Sequence, residues 1–301
     1  MEAMRRTIAS SSRAPGLAAQ RLVYVALALA AVAFCQPVAA QSPCKTPSDE
    51  CKVVGEWDIT LSLGGGIRTN PVRGRSDIPL VVIPQISYYG KRFFLENLDV
   101  GFTLHEIDTN TFSLVATPGY DRVFFYRNDL QNIFVGGARS LVGAGADTDA
   151  IEPPVADQSF PVHDRHTTYL AGPEWTFAYG RLTGQFDALY EVTGEYDGYE
   201  VRAALATPIM RSRHGSLDLS AGLTWKSSAL VRYYYGVEGL YEPGSAVNPF
   251  VKLGYSVPLS RRWTFSAFAH YERLDSAIAN SPIITEHGVT TAFAGFVFKV
   301  L

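Results

Sequence analysis

From Trp57 to Leu301 the chain repeats one unit: eight to eleven residues alternating apolar with small or polar side chains, then a break of Gly, Pro, Asp, Asn or Ser. In the run Tyr199-Glu-Val-Arg-Ala-Ala-Leu-Ala-Thr207, one face carries Tyr199, Val201, Ala203 and Leu205, and the other Glu200, Arg202, Ala204 and Ala206. A period of two makes each run a strand with unlike faces. Many such strands must bury their apolar faces against a second sheet, or turn them to lipid around a sheet closed on itself. Which of the two holds decides what the chain can do.

The amino end reads as an export signal, and this favours the second option. Arg5, Arg6, Arg13 and Arg21 form a positive leader, followed by an apolar run from Leu22 to Phe34. That run is short for a membrane helix and right for the hydrophobic part of a signal peptide. Val38-Ala39-Ala40 has the small-residue form of a cleavage site, so residues 1–40 are expected to be removed and the mature chain to begin at Gln41. Phe34 is too bulky for the position before a lipidated cysteine at Cys35. Residues 41–55 form a polar lead-in on the periplasmic side, and 56–301 the barrel. In an oxidising compartment, Cys44 and Cys51 are a candidate disulfide.

Composition agrees with either arrangement of strands but excludes other classes. Hydrophobic residues make up 47% and the net charge is -3, so there is no basic stripe for nucleic acid and no signature of disorder. Tyr 16 and Phe 17 against Lys+Arg 26 suit a sheet with aromatic girdles. After residue 41 no apolar stretch is long enough for a membrane helix. A chain in the bilayer is then a closed barrel, the strand structure in which every backbone amide and carbonyl is paired.

Strands are expected at Trp57–Leu63, Leu80–Tyr89, Phe93–Leu104, Phe112–Ala116, Tyr169–Tyr179, Leu182–Val192, Tyr199–Thr207, Leu217–Trp225, Val251–Val257, Trp263–Tyr271 and Val289–Val300. One or two more belong to the mixed region Gly119–Gly145, with its cluster Val123-Phe124-Phe125-Tyr126. Gly64-Gly65-Gly66 marks a bend or bulge, and Pro84 a bulge or locally open pairing. Ser260-Arg261-Arg262 is a hairpin turn, and the acidic, proline-rich stretch Asp147–Arg165 is a long external loop. Single-chain barrels have even strand numbers, so the expectation is an all-β, single antiparallel transmembrane β-barrel of about 12 strands, with 10–14 as the range. Strands of roughly nine residues, tilted near 40°, cover about 23 Å, close to the apolar band of an outer membrane. The last strand alternates to the end: Ala292, Ala294, Phe296, Phe298 and Val300 oppose Thr291, Phe293, Gly295, Val297 and Lys299.

Gln185, Asp187, Glu200, Arg202, Asp218 and Lys252 fall on the less apolar faces of their strands and are the candidate lumen-facing residues. Motifs for chemistry are weak. His163 and His166 form an H-x-x-H pair in a solvated loop with no third ligand evident. A serine hydrolase would have to be built from Asp275-Ser276 near His270, without a G-x-S-x-G turn. Gly64-Gly65-Gly66 lacks the lysine of a phosphate loop. No cofactor, metal or catalytic set is expected, and the chain reads as a non-enzyme.

Specific strings carry a resemblance. Tyr233-Tyr-Tyr-Gly-Val237, Tyr241-Glu-Pro-Gly244, Tyr271-Glu-Arg-Leu274 and Ser281-Pro-Ile-Ile284 occur in that order. So do the opening at Trp57–Gly66 and Pro84-Gln-Ile-Ser-Tyr-Tyr-Gly90 before Arg92-Phe93-Phe94. Together these resemble the MltA-interacting protein (MipA/OmpV) family from Trp57 onward. Asp147–Arg165 and the final Leu301 depart from the family pattern. The resemblance implies an outer-membrane barrel in contact with outer-membrane lipid. Its founding member is regarded as a scaffold joining a murein-degrading transglycosylase to a murein-synthesising penicillin-binding protein, while other members look like porins or adhesion-related proteins. Two readings follow: a scaffold for a murein hydrolase and a penicillin-binding protein, acting through its rims at Ser260-Arg261-Arg262 and around Cys44 and Cys51, or a channel for small solutes.

Overall fold

A computed structural model describes residues 54–126, 164–212 and 214–301; the leader, Cys44, Cys51 and His163 lie outside the described residues. Within it the strands are β1 (Trp57–Arg68), β2 (Ile78–Tyr89), β3 (Phe93–Glu96), β4 (Asp99–Ile107), β5 (Asn110–Pro118), β6 (Tyr169–Tyr179), β7 (Leu182–Glu191), β8 (Tyr199–Ser212), β9 (Gly215–Lys226), β10 (Ala246–Pro258), β11 (Trp263–Arg273) and β12 (Gly288–Lys299). Each pairs antiparallel with its sequence neighbours, and β12 returns to β1, closing a 12-strand barrel. Closure removes the free terminal strands, as a sheet in lipid requires, and leaves the stretch of β2 beyond the short β3 paired on one side among the described residues. Two short helices, α1 (Ser228–Tyr235) and α2 (Ser276–Ala279), lie in the connections β9–β10 and β11–β12.

The apolar faces point outward. Leu63, Phe102, Leu114, Phe186, Leu205, Leu253 and Phe296 are all exposed. Water would tolerate no apolar belt of that extent on a monomer, and acyl chains would. Aromatic pairs stand at both ends of the wall: Trp57–Tyr88 at 5.0 Å and Trp263–Phe298 at 4.9 Å on one rim, and Tyr190–Tyr199 at 4.9 Å on the other. Rings of this kind seat a barrel at the two membrane interfaces.

Both glycine and proline signals in the first hairpin have a structural cause. An added Cβ on Gly64 would lie 2.2 Å from the Ala294 carbonyl oxygen, and on Gly66 2.4 Å from that of Ala292. The seam between β1 and β12 therefore closes only over bare backbone. The β1–β2 register shifts between Leu63 and Gly66, and Ile78, Leu80 and Ile83 are all buried, which strict alternation would not give. Pro84 stands where β2 has no partner on its other side among the described residues, because β3 has 4 residues and pairs only with Ser87–Tyr89. Residues two apart send their backbone groups to the same side. Ile86 bonds toward β3, so the missing N–H of Pro84 falls on the open side.

One expected strand is corrected. Phe93–Leu104 is not continuous: it folds back at Asn97-Leu98 into the hairpin β3–β4. Asn97 has φ 55, donates its N–H to the Ile86 carbonyl at 2.7 Å and accepts the Ile86 N–H on Oδ1 at 3.0 Å. Asparagine tolerates this left-handed conformation and replaces the missing ladder. The twelfth strand thus comes from this split. In the mixed region, the described part is a short 3-10 turn at Tyr120–Phe124.

Candidate functional site

The two ends of the barrel differ. One carries short turns, among them Gly180-Arg181 and Leu259–Arg262; the other carries, among the described residues, 69–77, 119–126, 164–168, 192–198, 227–245 and 274–287. At this loop end the connections fold into one buried cluster that includes Val123, Phe125, Leu230, Tyr234, Ile278 and Ile284.

α1 is the centre of that plug. Ser227 caps it, its side chain accepting from the Leu230 N–H, and Leu230, Val231, Tyr234 and Tyr235 are its buried face. A helix leaves its last carbonyls without internal partners. Here other loops supply them. Arg165 donates from Nε (3.0 Å) and Nη2 (2.6 Å) to the Tyr234 carbonyl, and Ser281 donates its hydroxyl to the Tyr235 carbonyl at 2.6 Å. The Arg165 guanidinium also lies 3.8 Å from the centre of the Phe125 ring. Arg165, read from sequence as part of a solvated loop, is instead a buried clamp at 4% exposure; a bidentate donor next to aromatic rings is the signal that was missed.

Further ties cross the mouth. Asn70 donates Nδ2 to the Phe124 carbonyl at 3.0 Å, Thr285 donates its N–H to the Pro71 carbonyl at 2.8 Å, and Tyr241 donates its hydroxyl to the Ala277 carbonyl at 3.1 Å. Below them Lys226, the last residue of β9, places Nζ 2.6 Å from each carboxylate oxygen of Asp121, to which Tyr235 also donates at 2.5 Å. Burial, offset in part by the neighbouring tyrosines, lowers the Arg165 guanidinium to about 10, still a cation at neutral pH. Burial pushes the Tyr234 phenol well above its ordinary range, with Tyr196 adding to it, and does the same to Tyr235, with Asp121 adding to it.

The interior beneath the plug is charged and ordered by strand register. Thr103, Ser113, Glu174, Asp187, Arg202 and Thr224 are successive partners from β4 to β9 and form one row across the wall. Gln185 donates Nε2 to Glu174 at 3.1 Å and to both oxygens of Asp187 at 3.2 and 3.1 Å. Arg202 pairs with Glu200 at 2.5 Å. Asp218 stands apart on β9, accepting from the Ser216 hydroxyl at 3.1 Å. Lys252 belongs to the opposite wall, in the row Ser220, Lys252, His270, Thr291 and Arg68 from β9 to β1. The structure thus brings Gln185, Asp187, Glu200 and Arg202 together and leaves Asp218 and Lys252 elsewhere on the inward face. Glu174 and Lys226 were legible from the same alternation; Asp121 was not, because it lies on an irregular segment.

Asp275 and Ser276 are engaged at the start of α2. Asp275 caps α2, accepting from the Ala277 N–H at 2.9 Å and the Val247 N–H at 3.1 Å, while Ser276 donates to it at 3.3 Å. His270 is on the inward face of β11 with its ring 5.4 Å from that of Phe250. His166 pairs with Glu195 at 3.0 Å.

The family profile described as "MltA-interacting protein MipA" matches residues 61–300. The chain belongs to the MltA-interacting protein family. The MltA-interacting protein of Escherichia coli (strain K12) is 23% identical over 259 residues, covering 81% of this chain and 91% of that protein. The putative outer membrane protein YiaT of Escherichia coli O157:H7 is 25% identical over 247 residues, covering 79% and 89%. Among solved structures, OmpT of Vibrio cholerae covers 81% of this chain and 97% of its own, with 8% identity and a TM-score of 0.32. At that score the likeness is one of general form, and the fold rests on the pairing described above. This member of the MltA-interacting protein family is an outer-membrane β-barrel. The family is not an enzyme family.

Proposed function

We propose that this barrel is a non-enzymatic platform in the outer membrane that docks murein-synthesising and murein-degrading enzymes through its short-turn rim. The observation that carries this reading is the plugged mouth: loops tied to one another across the barrel by Asn70–Phe124, Arg165–Tyr234, Tyr235–Ser281 and Pro71–Thr285 suit a rigid base better than an open conduit. In outer-membrane barrels the short turns face the periplasm. On that rim Lys91, Arg92, Arg181, Arg211, Arg261 and Arg262 are exposed and outnumber the exposed acids Glu56, Glu106 and Asp108, a net positive rim able to steer an acidic partner. The relative named MltA-interacting protein supports a partner among murein enzymes.

The test is capture, by the folded barrel in detergent, of a purified murein transglycosylase and a penicillin-binding protein. Binding is expected for the wild type, with loss in the charge reversal Arg261→Glu/Arg262→Glu and steep weakening by salt. Neither enzyme binding would overturn the docking reading. The second reading, a solute channel, draws on the polar interior. Discrete conductance steps in a planar bilayer would favour it; a silent bilayer is the result expected here.

A further inference from the structure

We propose that the barrel interior holds a binding site for the oxyanion of a small solute, a carboxylate or phosphate group, on the row Lys252, His270, Thr291 and Arg68. These residues are successive cross-strand partners on β10, β11, β12 and β1, so neighbours are spaced about 5 Å apart on one face. An ammonium, a guanidinium, an imidazole and a hydroxyl in such a row are donors of the kind that recognise carboxylate and phosphate oxygens.

Two interior cations outside the row are saturated. Lys226 is held by both oxygens of Asp121, and Arg202 by Glu200. Arg68 differs. Its Nε reaches only the Thr291 hydroxyl, at 3.4 Å, and its Nη1 is buried with no hydrogen-bond partner. A buried guanidinium nitrogen in that state is a donor waiting for an acceptor. Glu272, on the same inward face of β11 as His270, accepts from Asn248 at 2.8 Å and also acts on Arg68 through its charge. Beside the row, on the same inward face, Ile78, Leu80, Ile83, Phe268 and Phe293 form a dry apolar cluster, which lowers the local dielectric and strengthens contacts made to an anion. Most acids of the lumen, Glu174, Asp187 and Glu200, stand on the far wall, so an anion would be drawn to this side.

Toward the short-turn end Thr60, Ser216, Ser256 and Thr264 are small inward side chains that keep part of their surface accessible, with Phe268 and Phe293 standing between them and the row. The row itself lies just beneath the plug, where Arg68 is 5.7 Å from the Phe124 ring centre.

The experiment is calorimetric titration of the folded barrel, in a nonionic maltoside micelle, with inorganic phosphate and separately with succinate. At least one is expected to bind, and Lys252→Gln and Arg68→Gln each to weaken it roughly tenfold or more, as loss of a charged hydrogen bond does. Asp218→Asn, off the row, is expected to bind as the wild type does. Binding of phosphate alone assigns a phosphate oxyanion, and binding of succinate alone a carboxylate. Heat-modifiable gel migration checks that each variant is folded; should Arg68→Gln fail that check, Lys252→Gln decides. The proposal is overturned if neither anion binds the wild type, or if folded Lys252→Gln binds as tightly.

Discussion

Lys226 and Asp121 meet in the floor of the plug, Nζ lying 2.6 Å from both carboxylate oxygens, with the two residues 7% and 4% exposed. The pair joins the end of a wall strand to the turn that follows β5, two segments 105 positions apart in sequence. It therefore fixes where the plug sits in the barrel.

Removing one partner leaves the other buried and uncompensated, at a cost of about 3–5 kcal/mol. Lys226→Met is expected to release the plug while leaving the wall intact. Bilayer recordings should then show conductance absent from the wild type, and Asp121→Asn combined with Lys226→Met should restore the silence. A silent Lys226→Met barrel with wild-type stability would show that the pair does not hold the mouth shut.

The alkaline limit of the plug follows from Tyr234 and Tyr235. Burial first, then Tyr196 for one and Asp121 for the other, raises both phenols in the folded state. Each therefore contributes stability that is complete below the unfolded value of about 10 and is lost as pH rises through the folded value. A tyrosinate absorbance titration should show exposed tyrosines ionising near pH ~10 and a later phase that coincides with release of the plug. Ionisation of all tyrosines in one early step, with the plug still closed, would contradict this.

What was legible in the sequence was whatever obeys a period of two. The outward set Tyr169, Ala171, Trp175, Phe177 and Tyr179 and the alternation of the last strand needed nothing else, and they led to the closed barrel. The plug was not legible, because its residues answer to no period. Tyr233-Tyr-Tyr reads as part of a connection until the Arg165 guanidinium and the Ser281 hydroxyl supply acceptors' partners at the end of α1. The β3–β4 turn was hidden for a related reason. Asn97 is a single left-handed residue inside an otherwise apolar run, and its side chain does the work of a neighbouring strand. Cross-strand rows such as Lys252–His270–Thr291–Arg68 depend on register between distant strands, which alternation within one strand does not specify.

Asn97 can be tested on its own. Alanine at φ 55 costs about 1–2 kcal/mol in backbone strain. It also leaves the Ile86 N–H without its acceptor, which adds about 1 kcal/mol. Asn97→Ala is expected to lower stability in urea by roughly the sum. Asn97→Gly removes the strain but not the lost hydrogen bond, so it should recover about half. Equal effects of the two substitutions would assign the whole cost to the side-chain bond.

Closure of the wall depends on Gly64 and Gly66. A Cβ at either position would press on the carbonyl oxygens of β12 at 2.2 and 2.4 Å, and backbone in a paired strand has nowhere to retreat. Gly65, where an added Cβ meets nothing within 4 Å, is the internal control in the same run. Gly64→Val and Gly66→Val are expected to give a chain that fails to close, seen as loss of the heat-modifiable band and of protease resistance. Gly65→Val should assemble, because its new side chain points to open space on the lipid side, the face shared with Leu63 and Ile67. If all three variants assembled alike, close approach at the β1–β12 seam would not be what selects glycine there.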